Sequence, residues 1–570
     1  MFVVARDGSG DFTDIQEAID RIPEGDRAPT LLLIRKGVYT GRVVIHKDNL
    51  RIVGEDRKET VLTASGCAKD PAPDGTPRGT FLSATLIVTG KNVEVENLTV
   101  RNDAGDGSTA GQAVAVYAAG DRGVWRNCDL IAHQDTLFCG PVMEKVNADT
   151  APRISSAECV PSVGDSPVTH GRLYFEDCFI RGDIDFIFGP YRCWFERCTL
   201  FMNRHGGYYT AANTPEHQPY GMVFHRCTLT GECAAGAAFL GRPWRRFART
   251  VFLECRMDAC VAPCGFCDWD EERRVTDRCG EWRTEGARAS LEMRHPGERQ
   301  LTDEEAQILN LPEVIGGFDG WRPDRRVPTW FLCGDSTMAD YPAEAYPMTG
   351  WGQKLQALTD GTVFIQNEAV NGRSSKSFIT EQLLHYIECC LRAGDKLIVC
   401  FGHNDEKPDK ARHTDPESTY RECLGLYIDT ARQKGVEPIL VTSIARRRFD
   451  ASGKPVPTHG AYPSAMRRTA ESLGVRLVDL ESATTELLSG EGPEGSKSIY
   501  CHVPAGSPNY PEGRADDSHL QERGAVRIAK LFLDGLAGKQ WRPGGASQDA
   551  GDGLEELILR EDDVVKDKGC

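Results

Sequence analysis

VENLTV (95–100), WRNCDL (125–130), FEDCFI (175–180), FERCTL (195–200), FHRCTL (224–229) and FLECRM (252–257) are six versions of one phrase. Each is a short strand pattern with one small or medium apolar residue at the same place: Leu98, then Cys128, Cys178, Cys198, Cys227 and Cys255. Apart from one long gap, the copies recur about every 20 to 30 residues between about Leu31 and Met257. Repeats of that period mean a solenoid, and short strands without intervening helices mean a right-handed parallel β-helix. Equivalent residues of such a coil stack, so the five cysteines are expected as a buried, unpaired interior ladder. The long gap lies between Cys139 and His170. Its polar, Pro- and Ser-rich sequence predicts a loop inserted at about 140–169, able to wall one end of a cleft.

Working outward, 570 residues exceed one ordinary core. The composition changes after Trp321. RPDRRVP (322–328) reads as a charged, proline-bracketed linker. Beyond it TWFLCG (329–334), VFIQNEAV (363–370), KLIVCFG (396–402), EPILVTSI (437–444) and VRLVDL (475–480) alternate with helical stretches, which predicts a doubly wound parallel α/β sheet. The expected plan is a β-helix over 1–323, a linker at 324–328, an α/β domain over 329–540 and an acidic tail over 541–570.

A net charge of −17 argues against nucleic acid as a partner, because binding it rests on Lys and Arg meeting phosphates. No apolar run is long enough for a membrane span. The start, MFVVARDGSGDF, has no basic and apolar leader pattern, and 21 cysteines, an odd number, suit a reducing compartment. The expectation is a cytoplasmic enzyme, the alternative a secreted one that has lost its signal. Cys260, Cys264, Cys267 and Cys279 contain one C-x-x-C pair, where a structural zinc site wants two, so they read as free thiols.

QDT (134–136), DFIFG (185–189) and LGRPW (240–244) follow one another along the coil, with DGSGDFTDIQEAID (7–20) before them and QAVAVY at 112–117. Together these closely resemble the pectin methylesterases, over about Met1 to Pro323. One departure is Gly41 in GVYTG, where that family often has a glutamate. Ester hydrolysis by two carboxylates needs one ionised and one protonated, so their pKa values must be pushed apart. Adjacent coils, about 4.8 Å apart, can bring two Asp together. The resemblance implies Asp185 as nucleophile and Asp135 as the acid that protonates methanol and then activates water. Gln134 and Gln112 would donate to the oxyanion. Arg242 would hold Asp185 ionised, and Trp244 and Phe188 would face the sugar. Asp183, two residues from Asp185, is expected on the same strand face as a rival or a neighbour that raises its pKa.

In the second half CGDSTMADY (333–341), VNGRS (370–374), GHND (402–405) and DDSHL (516–520) occur in the order of the blocks of SGNH-type esterases, and look most like the rhamnogalacturonan acetylesterase branch. Strand ends of a parallel sheet aim their loops at one crevice. The resemblance implies Ser336 as nucleophile, His519 as base and Asp516 as its orienting group, with Asp517 the rival. The amides of Ser336 and Gly372 and the side chain of Asn404 would hold the oxyanion.

The combined expectation is a bifunctional carbohydrate esterase acting on methylated, acetylated pectic oligosaccharides, with no cofactor or metal; no oligomeric state follows from the sequence. One competing reading makes the β-helix a carbohydrate-binding module, which would have no need of a carboxylate pair. Another makes the second domain a lipase or thioesterase, for which no apolar lid beside Ser336 speaks.

Overall fold

The computed structural model describes residues 1–23, 29–72, 75–143, 159–160, 171–286 and 292–539. The expected tail (541–570) and, apart from 140–143 and 159–160, the expected insertion (140–169) lie outside the described residues. The chain divides into two compact units, residues 1–326 and 327–570.

The first unit is a parallel β-helix of three sheets with eleven, seven and eight strands. The repeated phrase supplies neighbouring strands of the largest sheet: Val93–Glu96, Gly123–Arg126, Arg172–Glu176, Arg192–Glu196, Met222–His225 and Thr250–Leu253. The coil starts earlier than the repeat suggests, with Phe2–Val4 pairing Thr30–Ile34, and runs on to Arg299–Gln300. The helix Ile15–Arg21 packs Ile15, Ala18 and Ile19 into the first coils, and Asp14 caps it by accepting the Glu17 amide at 2.9 Å.

A corner follows each strand of the repeated phrase, and its geometry explains the sequence. Asn97, Asn127, Asp177, Arg197, Arg226 and Glu254, each just before the ladder residue, have φ between +49° and +58°. None of these positions is β-branched, because left-handed backbone crowds a branched Cβ. The turn points the next side chain inward. Leu98, Cys128, Cys178, Cys198, Cys227 and Cys255 are all at most 2 % exposed. The Phe179, Thr199, Thr228 and Arg256 amides donate to the carbonyls of Cys128, Cys178, Cys198 and Cys227 at 2.8–2.9 Å, so the ladder climbs one coil per step. The five ladder cysteines are all unpaired thiols. Beside the cysteines runs an aromatic ladder, Phe175, Phe195, Phe224 and Phe252, with centroids 4.4–4.8 Å apart and rings within 15° of parallel.

The second unit is a five-stranded parallel sheet in the order Phe364–Asn367, Thr329–Gly334, Lys396–Cys400, Glu437–Val441, Arg476–Val478. Every apolar run picked out in the sequence is one of these strands. Helices such as Thr419–Gln433, Tyr462–Leu473 and Glu522–Leu536 connect or follow them. A short antiparallel pair, Tyr500–Val503 with Arg514–Leu520, carries the DDSHL block. No described helix is long and apolar enough to cross a membrane.

The left-handed corner makes a measurable prediction. Arg226→Val should lower unfolding free energy by about 1–2 kcal/mol through backbone strain, and Arg226→Gly by less. Urea midpoints that do not differ between the two would contradict the corner's role.

Candidate active sites

In the first unit the strands Leu137–Cys139 and Ile187–Gly189 pair with Leu137 opposite Ile187 and Phe138 opposite Phe188. Two residues before each pair stand Asp135 and Asp185, equivalent positions on adjacent coils. The Asp135 amide donates to the Ile184 carbonyl at 3.0 Å. Both aspartates are left-handed, φ +67° and +51°, and both are buried, 8 % and 6 % exposed. Their environments separate them. Arg242 donates from Nε to Asp185 Oδ1 at 2.9 Å and from Nη2 to Oδ2 at 2.7 Å, a bidentate fork. Burial raises the Asp185 pKa, and the Arg242 fork pulls it back only in part, so it stays above its ordinary value. Burial and then the Asp185 charge push Asp135 well above the usual carboxylate range, with Asp183 adding and Arg242 opposing. The fork makes Asp185 the easier of the two to ionise, while Asp135 is pushed further toward its protonated form.

The rest of the cluster is assembled by stacking. Gln112 forms a parallel backbone bridge with Gln134 on the next coil; both residues are half-buried, and Gln134 directly precedes Asp135 in the chain. Arg242 lies between two rings that sequence reading did not single out, Tyr208 at 4.1 Å and Trp269 at 3.8 Å. Trp269 sits in GFCDWD (265–270), a stretch that shares in the family resemblance without assigning this ring a role. Two expectations are corrected. Phe188 is 4 % exposed, wedged between Phe138 (4.9 Å) and Trp244 (5.8 Å), so it supports the half-exposed Trp244 from below and presents little face of its own. Asp183 does not share a strand face with Asp185, because residues 183–185 form a bend between strands. Asp183 turns to His133, with Oδ2 3.1 Å from Nδ1, and that bond raises the His133 pKa.

Cys260, Cys264, Cys267 and Cys279 do not converge: the Cys260 thiol meets the Tyr209 hydroxyl at 3.5 Å, and the Cys279 thiol meets the Ala248 carbonyl at 3.7 Å. Among the described residues the one group of three potential metal ligands is Asp106, His133 and Asp183, already tied up as ion pairs His133–Asp183 and His205–Asp106.

In the second unit Ser336 follows the strand Thr329–Gly334. Its Oγ is 2.9 Å from His519 Nε2, and His519 Nδ1 is 2.8 Å from Asp516 Oδ2. Burial raises the Asp516 carboxyl, but bonds from the His519 side chain and amide, Arg514 and the Ser518 amide outweigh it and hold it far below the usual range. Asp517 faces elsewhere, bonding His502 at 2.8 Å and Arg447 at 2.7 Å. Gly372 takes φ +77°, which favours glycine, so its amide can turn toward the crevice.

The GHND loop ties the crevice together in three consecutive residues. Asn404 donates its amide to the Arg373 carbonyl at 3.0 Å, beside Gly372. Asp405 accepts the Ser375 hydroxyl at 2.5 Å, and burial pushes its pKa up to about 6 despite that bond. His403, missed in the sequence, has Nδ1 3.5 Å from Asp335 Oδ2, the residue before the serine, and its ring stands edge-on to buried His459 at 4.3 Å.

These arrangements define a carboxylic ester hydrolase, with a carboxylate pair in one unit and a Ser-His-Asp group in the other. The family comparisons agree: the chain belongs to the pectinesterase family, whose model matches residues 1–142 and 161–317, and its second unit, at 332–526, matches the GDSL-like lipase/acylhydrolase family. It is 32 % identical over 313 residues to pectinesterase 31 of Arabidopsis thaliana, covering 54 % of this chain and 89 % of that one. It is 44 % identical over 207 residues to rhamnogalacturonan acetylesterase RhgT of Bacillus subtilis, covering 36 % of this chain and 88 % of that one. The solved pectin methylesterase PemA of Erwinia chrysanthemi is 28 % identical, with 56 % of this chain and 98 % of that chain covered and a TM-score of 0.46.

Arg242→Lys keeps a charge but loses the fork, so the Asp185 pKa should rise. The acid limb of ester hydrolysis by the first unit should then move to higher pH by about one unit, read from kcat/KM profiles. An unmoved limb would separate Arg242 from Asp185 ionisation. In the second unit His403→Ala should lower kcat about tenfold or more with little change in KM, because it frees the loop that carries Asn404.

Proposed function

We propose that the chain is a bifunctional pectin-processing esterase: the first unit removes methyl esters from galacturonate and the second removes acetyl groups from pectic sugars. One observation carries the reading. Each unit holds its own complete set of nucleophile, acid–base group and positioning partner, and the two sets use different chemistry.

In the first unit the Asp185 carboxylate attacks the methyl-ester carbonyl, and the Gln134 and Gln112 amides take up the developing oxyanion. Collapse expels methanol, which takes its proton from Asp135, and leaves an acyl-enzyme anhydride. Asp135, now a carboxylate, draws a proton from water as the water attacks. Galacturonate leaves as a free acid and both aspartates return to their starting states. In the second unit His519 takes the Ser336 proton as Oγ attacks the acetyl carbonyl, and Asp516 steadies the imidazolium. The Ser336 and Gly372 amides and Asn404 face the oxyanion; the sugar hydroxyl leaves with the His519 proton, and water releases acetate. Relatives named for pectinester and rhamnogalacturonan acetylester hydrolysis support these substrate classes.

A reducing, cytoplasmic setting and a preference for short oligosaccharides belong to the same proposal, supported by the cysteines stacked as thiols along the coil.

The two activities should separate cleanly. Asp185→Ala should abolish methanol release by at least about 10³-fold and leave acetate release within about twofold, and Ser336→Ala the converse, since sites without shared contacts act independently. Assaying methanol and acetate from one esterified oligosaccharide checks both. Loss of both products from either single change would sink the two-site reading.

A further inference from the structure

The first unit has a second concave site, on a different sheet from Asp135 and Asp185. It is a pocket of about 290 Å³ whose walls include Tyr220, Arg249, Val251, Arg278 and Leu309. The strands beneath it, Thr250–Leu253 and Gly280–Trp282, belong to the eleven-stranded sheet, whereas the catalytic strands belong to the seven-stranded one.

Among the described residues, no carboxylate forms an ion pair with two of the guanidiniums there, Arg249 and Arg278. Arg249 donates Nη1 to the Pro219 carbonyl, and its Nε is buried without a hydrogen-bond partner. Arg278 donates Nη2 to the Gln218 carbonyl at 2.7 Å. Burial is the first cause that lowers the pKa of each, and at Arg278 the charge of Arg249 is the second, so two like charges share a partly dry recess. The other charges facing them are accounted for. Arg299 is paired with Glu305, Asp277 is an exposed neighbour of both arginines, and Glu216 acts on Arg278 from a distance. An unpaired, partly buried guanidinium pair is costly alone and favourable when it clamps a planar anion. The rest of the wall combines Asp277 and the Arg299–Glu305 pair with an apolar stretch, Val251, Leu301, Ile308 and Leu309, suited to the C–H face of a sugar ring.

We propose that this pocket binds the free carboxylate of a de-esterified galacturonate unit, a non-catalytic subsite for the anionic product end of the chain. The proposal rests on the function proposed above, since hydrolysis of neutral methyl esters is what creates such carboxylates. Its position fits. Trp244, beside Phe188 at the catalytic face, and Arg249 are five residues apart in one connecting segment, so their Cα atoms lie within about 18 Å. A partly hydrolysed oligosaccharide held at the pocket would raise the local concentration of its remaining esters near Asp185.

The test is calorimetry on the full chain with fully de-esterified tetragalacturonate, at low salt and at 0.2 M NaCl. An Arg249→Gln/Arg278→Gln double variant should bind it at least tenfold more weakly and lose most of the salt dependence. Asp277→Asn, which removes the acidic neighbour, should bind it about two- to fivefold more tightly, a gain that misfolding would not produce. Binding of the fully methyl-esterified tetramer should be equal in all three proteins. Unchanged affinity in both variants would overturn the proposal, as would inorganic sulfate displacing the tetramer mole for mole, which would mean a general anion site. If wild type bound the acid tetramer in this pattern but released no methanol from esterified substrate, the pocket would stand and the proposed reaction would fall.

Discussion

Everything in the first unit follows from one constraint: in a parallel β-helix each residue must sit in register over its equivalent on the coil before. Amide-to-carbonyl bonds of 2.8–2.9 Å lock the cysteine corners from coil to coil. A side chain that fits once must then fit repeatedly, so the core becomes columns of like residues, thiols in one and phenyl rings in another. The same stacking brings two aspartates face to face. Asp135 and Asp185 are equivalents, and a soluble fold would ordinarily avoid two buried acids at that spacing. Here their proximity is eased by giving one of them the Arg242 fork, while burial and the Asp185 charge push the other toward its protonated form.

The second unit reaches ester hydrolysis by a different distribution of charge. Its serine is neutral, and the charge that matters is the Asp516 carboxylate, stabilised by five hydrogen bonds from Arg514, His519 and Ser518. The nucleophile is activated when needed by a base, whereas at Asp185 a permanent cation, Arg242, opposes the upward push of burial on the carboxyl. The crevice is braced by a loop whose neighbours Asn404 and Asp405 engage the Gly372 segment while His403 engages the serine segment. Several buried polar atoms there, on Asp335, His403, His459 and Ser443, lack direct hydrogen-bond partners among the described residues. Such unsatisfied groups beside a nucleophile keep a site polar and its geometry sensitive to small shifts.

Charge also reads differently at two scales. The chain is strongly acidic overall, at −17. Yet arginines crowd the later coils: Arg242 stacks between Tyr208 and Trp269, and Arg249 and Arg278 share a pocket over another sheet. A net negative surface helps release acidic product, while local guanidiniums decide where a carboxylate can rest.

The repeat and the five α/β strands were legible in the sequence, because each rests on local pattern, a period or a run of apolar residues; the motif blocks pointed to candidate site residues, which the structure gathers as Asp135 and Asp185 with Arg242 and as Ser336, His519 and Asp516. The cysteine ladder was legible for the same reason, since a coil repeat specifies its own stacking. Three things were decided only in three dimensions. The bend at 183–185 turned Asp183 to His133, because a corner of the coil, unlike a strand, has no alternating faces. Phe188 went under Trp244, because stacking against Phe138 from the preceding coil buries it. The partners of Arg242 and of His403 come from segments 27 and 68 residues away, Trp269 and Asp335, and no local pattern records which distant side chains will meet. Sequence periodicity sets what repeats along the chain; burial and charge pairing between distant segments set what each site residue touches.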